Sequence, residues 1–302
     1  MGAGGLFGSA LIRQSGNSFS ASPIEWDSNE LALEQLTENL KRFQIAAQSQ
    51  NWCIAWAAGH ATTASTQSET KAEFELFNAF LLVLSELRPA GKGVFFLTSS
   101  AGGVYAGSNN PPFSDTAIPV PLSAYGKLKL AQETSAVKNL RGVVPVVIGR
   151  VSNLYGPGQN LSKLQGLLSR LALSAITKES MSIFVSLDTL RDYIYSDDAA
   201  RIALHFTNLA LKGAADEHHV CVIASGQPVS VGHLIHLMQD ISRTKIPISY
   251  GTHESASGQA NDLRLIPSST QQINAFLQTP LGAGAKAVYL DILSRYQTRN
   301  YI

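Results

Sequence analysis

Tyr125 and Lys129 stand four residues apart in the segment SAYGKLKLAQE, and Ser100 lies twenty-five residues upstream of the tyrosine. On a helix, side chains at i and i+4 leave from one face. A lysine ammonium beside a phenol favours the phenolate. A tyrosine so placed can trade a proton with an alcohol or sugar hydroxyl near neutral pH. Of the nine tyrosines in the chain, Tyr125 alone is followed by lysine four residues later. The pair by itself carries little information, and its weight comes from the segments around it.

Those segments supply the elements that must hold the pair. The run Val94–Leu97 ends in Thr98, Ser99 and Ser100, which reads as a buried parallel strand with its hydroxyls at the C-terminal end, where α/β sheets keep their sites. At the start, MGAGGLFGSALIRQ places Gly2, Gly5 and Gly8 as G-x-x-G-x-x-G ahead of a helix over Leu6–Arg13. The G-x-G-x-x-G spacing fails, because Phe7 stands where it needs glycine. Glycines here permit a tight turn and close backbone approach, and the helix N-terminus that follows can face a diphosphate. Strand and helix then alternate to about residue 155. Short strands are expected in Phe19–Trp26, at Cys53 and over Val143–Ile148, with helices over Asn29–Phe43, Ser68–Leu87 and Ser123–Leu140. Beyond Pro157 and Gly158 the chain enters a second lobe. It returns for a helix from Asp197 and a strand at Val220–Ala224, and ends with a helix near Gly282–Tyr296.

Together these residues resemble the short-chain dehydrogenase/reductase superfamily, in its extended branch of NAD(P)-dependent nucleotide-sugar epimerases and dehydratases. NWCIAWAAG (Asn51–Gly59) is similar to the family's fourth strand, GRVSNLYGPGQN (Gly149–Asn160) to its R-P-x-N-x-Y-G-P-G element, and LRDYIYSDDAARI (Leu190–Ile202) to its R-D-[YF]-[IV]-[HY]-x-x-D element. The resemblance implies an α/β fold with a doubly wound, Rossmann-like parallel sheet and a smaller C-terminal substrate lobe. The dinucleotide-binding domain would take residues 1–155 with returns at about 190–228, and the lobe 156–189 and 229–302. The first strand is missing from this pattern, since the glycines begin at residue 2. In a doubly wound sheet that strand is central, so an in-frame strand encoded upstream is expected.

Roles follow from the resemblance. Tyr125 would accept and donate the proton, while Lys129 would hold the nicotinamide ribose and tune Tyr125. Ser100 would bond the reacting oxygen, with Ser99 as the fallback. Gly2, Gly5, Leu6, Phe7, Gly8, Ala57, Ala58 and Gly59 would line the cofactor, NAD or NADP. Asp27 lies nineteen residues beyond Gly8 and has three open readings: the acid on the adenine ribose, an adenine contact from the third strand, or a helix cap shared with Ser28. Asn153 and Arg191 match positions that bind the substrate diphosphate, a task suited to a bidentate guanidinium. A turn hydrogen bond for Asn153, and an ion pair with Asp192 or Asp197 for Arg191, stay open beside this. The helices at Ser68–Leu87 and Ser123–Leu140 would form a homodimer interface, unless the first packs only on its own sheet.

The residues after Ser100 are Ala101 and Gly102, where the family's dehydratases and decarboxylases carry carboxylates. That leaves hydride transfer alone: epimerisation of a nucleotide-diphosphate sugar through a transient keto sugar, or net reduction of a nucleotide-linked keto sugar. A non-catalytic dinucleotide-binding regulator is the reading from another class, and it would need none of Ser100, Tyr125 and Lys129.

Composition bounds the rest. The 302 residues carry a net charge of +1, and 15% are charged, against about 25% on average. No basic stripe favours nucleic acid, and no apolar run approaches the ~18 residues of a membrane span. Cys53 and Cys221 sit in apolar runs and read as buried, reduced thiols, which suits the cytoplasm. His233 and His236 lack a third ligand nearby, so no metal is expected.

Overall fold

The computed structural model describes residues 1–162, 166–251, 260–268 and 278–298. The first half of the chain contains α1 (Leu6–Ser15), α2 (Asn29–Ala47), β1 (Trp52–Trp56), α3 (Gln67–Glu86), β2 (Gly93–Ser100), the single turn α4 (Ala101–Val104), α5 (Ala124–Leu140), β3 (Val146–Val151) and β4 (Asn153–Tyr155). The second contains α6 (Leu167–Thr177), β5 (Met181–Ile183), β6 (Leu190–Tyr195), α7 (Ser196–Ala210), β7 (His218–Ile223), β8 (Pro228–Ser230), α8 (Val231–Ser242), β9 (Ile248–Tyr250), β10 (Asp262–Leu263) and α9 (Leu281–Gln297).

β1, β2, β3 and β7 pair in that order, all parallel. Their side chains are apolar on both faces, as parallel strands covered by helices require. On one face α2, α3 and α5 pack Leu36, Leu40, Phe77, Phe80 and Leu84 against Trp56 and Phe95. On the other, α1 and α7 bring Phe7, Leu11 and Ile202 onto Phe96 and Val147. The sheet is therefore doubly wound. Beyond β1, a single residue occupies the next position: the Met1 ammonium donates to Ala55 O at 2.7 Å, and the Ala57 amide donates to Met1 O at 3.1 Å. A separate core joins α6, α8, α9 and β5 through Leu171, Met181, Leu234, Met238 and Val288.

Two expectations need correction. Phe19–Trp26 forms no strand. Its backbone is satisfied instead by side chains of α2: the Ser22 amide donates to Asn39 Oδ1 at 2.8 Å, Asn39 Nδ2 donates to Ser22 O at 3.1 Å, and the Glu25 amide donates to Gln35 Oε1 at 2.6 Å. The strand placed at Val143–Ile148 begins at Val146, because the Val143 and Val144 amides bond back to Leu140 O and close α5. On α3, most of the apolar side chains enter the chain's own core. Phe77, Phe80, Leu81 and Leu84 are fully buried, whereas Leu82 remains 48% exposed.

Candidate active site

β2 ends in Ser100, which caps the short turn α4: its Oγ accepts the Gly103 amide at 3.1 Å. α4 in turn lies against the first turn of α5, and two glycines allow the approach. A Cβ on Gly126 would meet Gly103 O at 2.2 Å, and one on Gly103 would meet the Tyr125 ring at 3.1 Å. This contact places Ser100 and Tyr125 on one cavity of about 530 Å³. Ser99 also lines the cavity, but its hydroxyl is committed: it donates to Glu133 Oε1 at 2.5 Å. Among the described residues no acceptor takes the Ser100 proton, so that hydroxyl can still donate.

Lys129 follows one turn after Tyr125 and is only 7% exposed. Its Nζ lies 5.6 Å from the centre of the Tyr125 ring, donates to Gln132 Oε1 at 3.0 Å and stands 3.9 Å from Glu73 Oε1.

The glycine loop meets the same cavity through Leu6 and Phe7. Gly2 has φ of +79°, and a Cβ there would lie 2.5 Å from Ala57 O and 2.6 Å from Ala58 N. A Cβ on Gly8 would lie 2.1 Å from Gly2 O, so the turn is tight at both points. The Gly5 amide closes it onto Gly2 O at 3.0 Å. No side chain caps α1, and Gly4 faces open space. Uncapped amides at a helix start beside a bare glycine turn fit a diphosphate. Gly59 packs against the Glu73 carboxylate, which a Cβ would meet at 2.8 Å. Asp27 stands exposed in the turn before Ser28, and Ser28 is the residue that caps α2. Asp27 is not among the cavity residues.

On the opposite wall, Arg191 of β6 and Asn153 of β4 line the cavity. Arg191 is 7% exposed and donates to Leu190 O at 2.9 Å. It pairs with neither aspartate suggested by the sequence. Asp192 accepts from the Ser225 and Gly226 amides and the Ser225 hydroxyl, and Asp197 pairs with Arg13 at 2.6 Å. Burial lowers the Arg191 pKa, with Tyr193 and Asp262 opposing. Burial likewise pushes the Tyr193 phenol up to about 12. Asn153 Nδ2 donates to Asp192 O at 2.9 Å. Among the described residues no Asp or Glu lines the cavity, while Arg170 of α6 adds a second guanidinium.

Sequence reading missed Arg170 and four polar residues. Thr98, Ser152, Gln159 and Thr189 line the cavity, and each holds a buried side-chain oxygen with no partner among the described residues. Buried oxygens of this kind are rare unless a ligand or water completes them. Thr98 lies two residues before Ser100 and Ser152 one before Asn153, so neighbourhood to the motifs was the available signal.

The model of the NAD dependent epimerase/dehydratase family matches residues 1–221. The chain belongs to this family. Among curated proteins it is 28% identical over 172 residues to the Escherichia coli dTDP-4-dehydro-6-deoxyglucose reductase, a match covering 55% of this chain and 52% of that one. It thus spans about half the length of that relative. Among solved structures, MoeE5 in complex with UDP-glucose and NAD superimposes with a TM-score of 0.80 at 21% identity, over 98% of both chains. The Thermotoga maritima UDP-glucose 4-epimerase with UDP-glucose gives 0.77 at 23% identity, again over 98% of both. These structural likenesses establish the shared fold, a mixed α/β fold with a parallel sheet.

Proposed function

We propose that this family member is an NAD(P)-dependent epimerase of a nucleotide-diphosphate sugar. One observation carries the reading: Ser100, Tyr125, the start of α1 and Arg191 open onto one cavity that, among the described residues, is lined by two guanidinium groups and no carboxylate. A bound nicotinamide dinucleotide supplies the hydride acceptor and donor. Gly2, Gly5, Leu6, Phe7 and Gly8 would hold its diphosphate, with Ala57, Ala58 and Gly59 behind them and Asp27 the remaining candidate for its adenosine end. Tyr125 would take the proton from the sugar hydroxyl and return it to the same oxygen when the keto sugar is reduced. Ser100 would donate to that oxygen throughout, and Lys129 would hold the nicotinamide ribose beside the phenol. Arg191 and Asn153 would take the substrate diphosphate, Arg191 through charge-assisted bonds. The unpaired oxygens of Thr98, Ser152, Gln159 and Thr189 suit a ligand rich in hydroxyls. Elimination lacks its acid and base, because Ala101 and Gly102 follow Ser100.

The E. coli relative favours a second reading, NAD(P)H-dependent reduction of a nucleotide-linked keto sugar. The two readings separate on retention of cofactor: an epimerase regenerates its nicotinamide in each turnover and can keep it bound, whereas a reductase must exchange it. Nicotinamide content of the purified protein, followed by a panel of nucleotide sugars, therefore decides. Tyr125→Phe should keep fold and cofactor binding and lower turnover by about 10²–10⁴. Turnover like that of the parent would remove Tyr125 from the mechanism. A complete absence of turnover across the panel would favour the non-catalytic regulator.

The reading extends to a homodimer through the outer faces of α3 and α5, where Leu82 is exposed, and to a reducing compartment such as the cytoplasm, given two free thiols. No helix among the described residues is long and apolar enough to cross a membrane.

A further inference from the structure

Glu73 lies on α3, fifty-six residues before Lys129 in the chain, yet it touches both Lys129 and the loop that follows β1. Its Oε2 accepts the His60 and Ala61 amides, each at 2.9 Å. Its Oε1 is buried, has no hydrogen-bond partner, and stands 3.9 Å from Lys129 Nζ. The side chains are 14% and 8% exposed, so the pair sits in a poorly hydrated place where a lone ammonium is costly. The other charges nearby cancel: Glu133 on α5 and Arg150 on β3 hold each other at 2.6 Å. Gln132 on α5 is neutral, and Tyr125 is the remaining titratable neighbour. Glu73 is thus the one counter-charge of Lys129 among the described residues.

We propose that Glu73 is a positioning residue that fixes the Lys129 ammonium and the Ala57–Ala61 loop as one unit, so that lysine and cofactor loop meet the dinucleotide already ordered. The ligand half of this statement rests on the functional reading above. The geometry explains why one carboxylate serves both. One oxygen is saturated by two loop amides, and the other is left with lysine as its nearest cation. With Gln132 Oε1 taking one N–H, the ammonium keeps others for a ribose hydroxyl.

The test is a cycle of Glu73→Gln, Lys129→Met and the double variant in the full chain. It is read by thermal midpoint without ligand and by NAD and NADP affinity. Glutamine keeps an oxygen for the two loop amides and removes only the charge. We expect Glu73→Gln to weaken dinucleotide binding by roughly tenfold, and the effect to vanish once Lys129 is Met. An effect through packing alone would persist in the Lys129→Met background. Wild-type affinity in Glu73→Gln, or additive effects in the double variant, would overturn the proposal. If the parent protein binds neither dinucleotide, the functional reading fails, and the ligand-free thermal cycle still decides the pairing: a non-additive cycle supports it and an additive one refutes it.

Discussion

Glu133 gathers more of the buried polar chemistry than any residue that the mechanism uses directly. It accepts from Ser99 Oγ at 2.5 Å and from Arg150 Nη2 at 2.6 Å, with Arg150 Nε at 3.1 Å. Arg150 Nη1 then donates to the Tyr105 hydroxyl at 2.7 Å, and Tyr105 donates to Ser114 O at 2.8 Å. Burial pulls the Arg150 pKa down, but the Glu133 bonds and charge raise it overall, so the guanidinium keeps its charge. Through Ser99, the neighbour of Ser100, this network ties down the end of β2. Removing one partner leaves a buried charge alone, so Glu133→Gln should cost about 3–5 kcal/mol, read by urea unfolding. Replacing Glu133 and Arg150 together by apolar residues should cost less than either single change. The thiols behave oppositely. Burial pushes the Cys53 pKa up to about 12 and raises that of Cys221 further. Neither should react with a thiol reagent at pH 8 until the chain is unfolded. At this scale the sequence exposed Ser100, Tyr125 and Lys129, because a fixed spacing and one helical turn relate them. It could not expose Glu73 or Glu133–Arg150, whose partners meet only once α3, α5 and β3 have packed.

Between elements, the informative segment is the one that failed to become a strand. Phe19–Trp26 has the apolar and aromatic residues of a short strand, and strand propensity is a preference for a half-buried pleated surface more than a property of the backbone. That surface has to be offered by a neighbouring strand. Here α2 offers Asn39 and Gln35 instead, and Phe19 and Trp26 pack on Phe43 and Trp56. Asn39 is 3% exposed and bonds both the amide and the carbonyl of Ser22. Asn39→Ala should therefore destabilise the chain by about 1–3 kcal/mol and speed hydrogen exchange at the Ser22 amide before any site in α2. Unchanged exchange there would mean that the segment is held by its rings alone. The helices and core strands were legible because each carries its own period or apolar run. Gly103 and Gly126 were not read as packing residues, since a close backbone approach between α4 and α5 leaves no periodic trace. The outer face of α3 belongs to the same scale. Leu82→Glu changes an exposed residue, so it should leave the thermal midpoint nearly unchanged and shift light scattering from dimer to monomer. A monomer in the parent protein would remove α3 and α5 as an interface.

Across the whole molecule, the cavity lies between two separately packed cores. β2, β3, α1 and α5 supply one wall, and α6, β5, β6 and α8 the other. A ligand spanning it binds only the folded arrangement and must raise stability by mass action. At a concentration of one hundred times Kd the gain is about 2.7 kcal/mol, or roughly 4 °C in thermal midpoint for a chain of this size. Two ligands are expected at different ends, a dinucleotide against the glycine turn and a nucleoside diphosphate against Arg191. Each should raise the midpoint alone, and both together should raise it further. Arg191 separates them, because it is buried on the second wall with, among the described residues, only Leu190 O as a hydrogen-bond partner, while the glycine turn lies on the first. Arg191→Ala should therefore erase most of the shift caused by UDP or dTDP and leave the NAD shift within about a degree. It should also raise the KM of a turned-over nucleotide sugar with a smaller change in kcat, since it removes binding that is equal in ground and transition states. If Arg191→Ala instead abolished the NAD shift and spared the nucleoside diphosphate, the two ends of the cavity would have to be exchanged, and with them the roles given to α1 and β6.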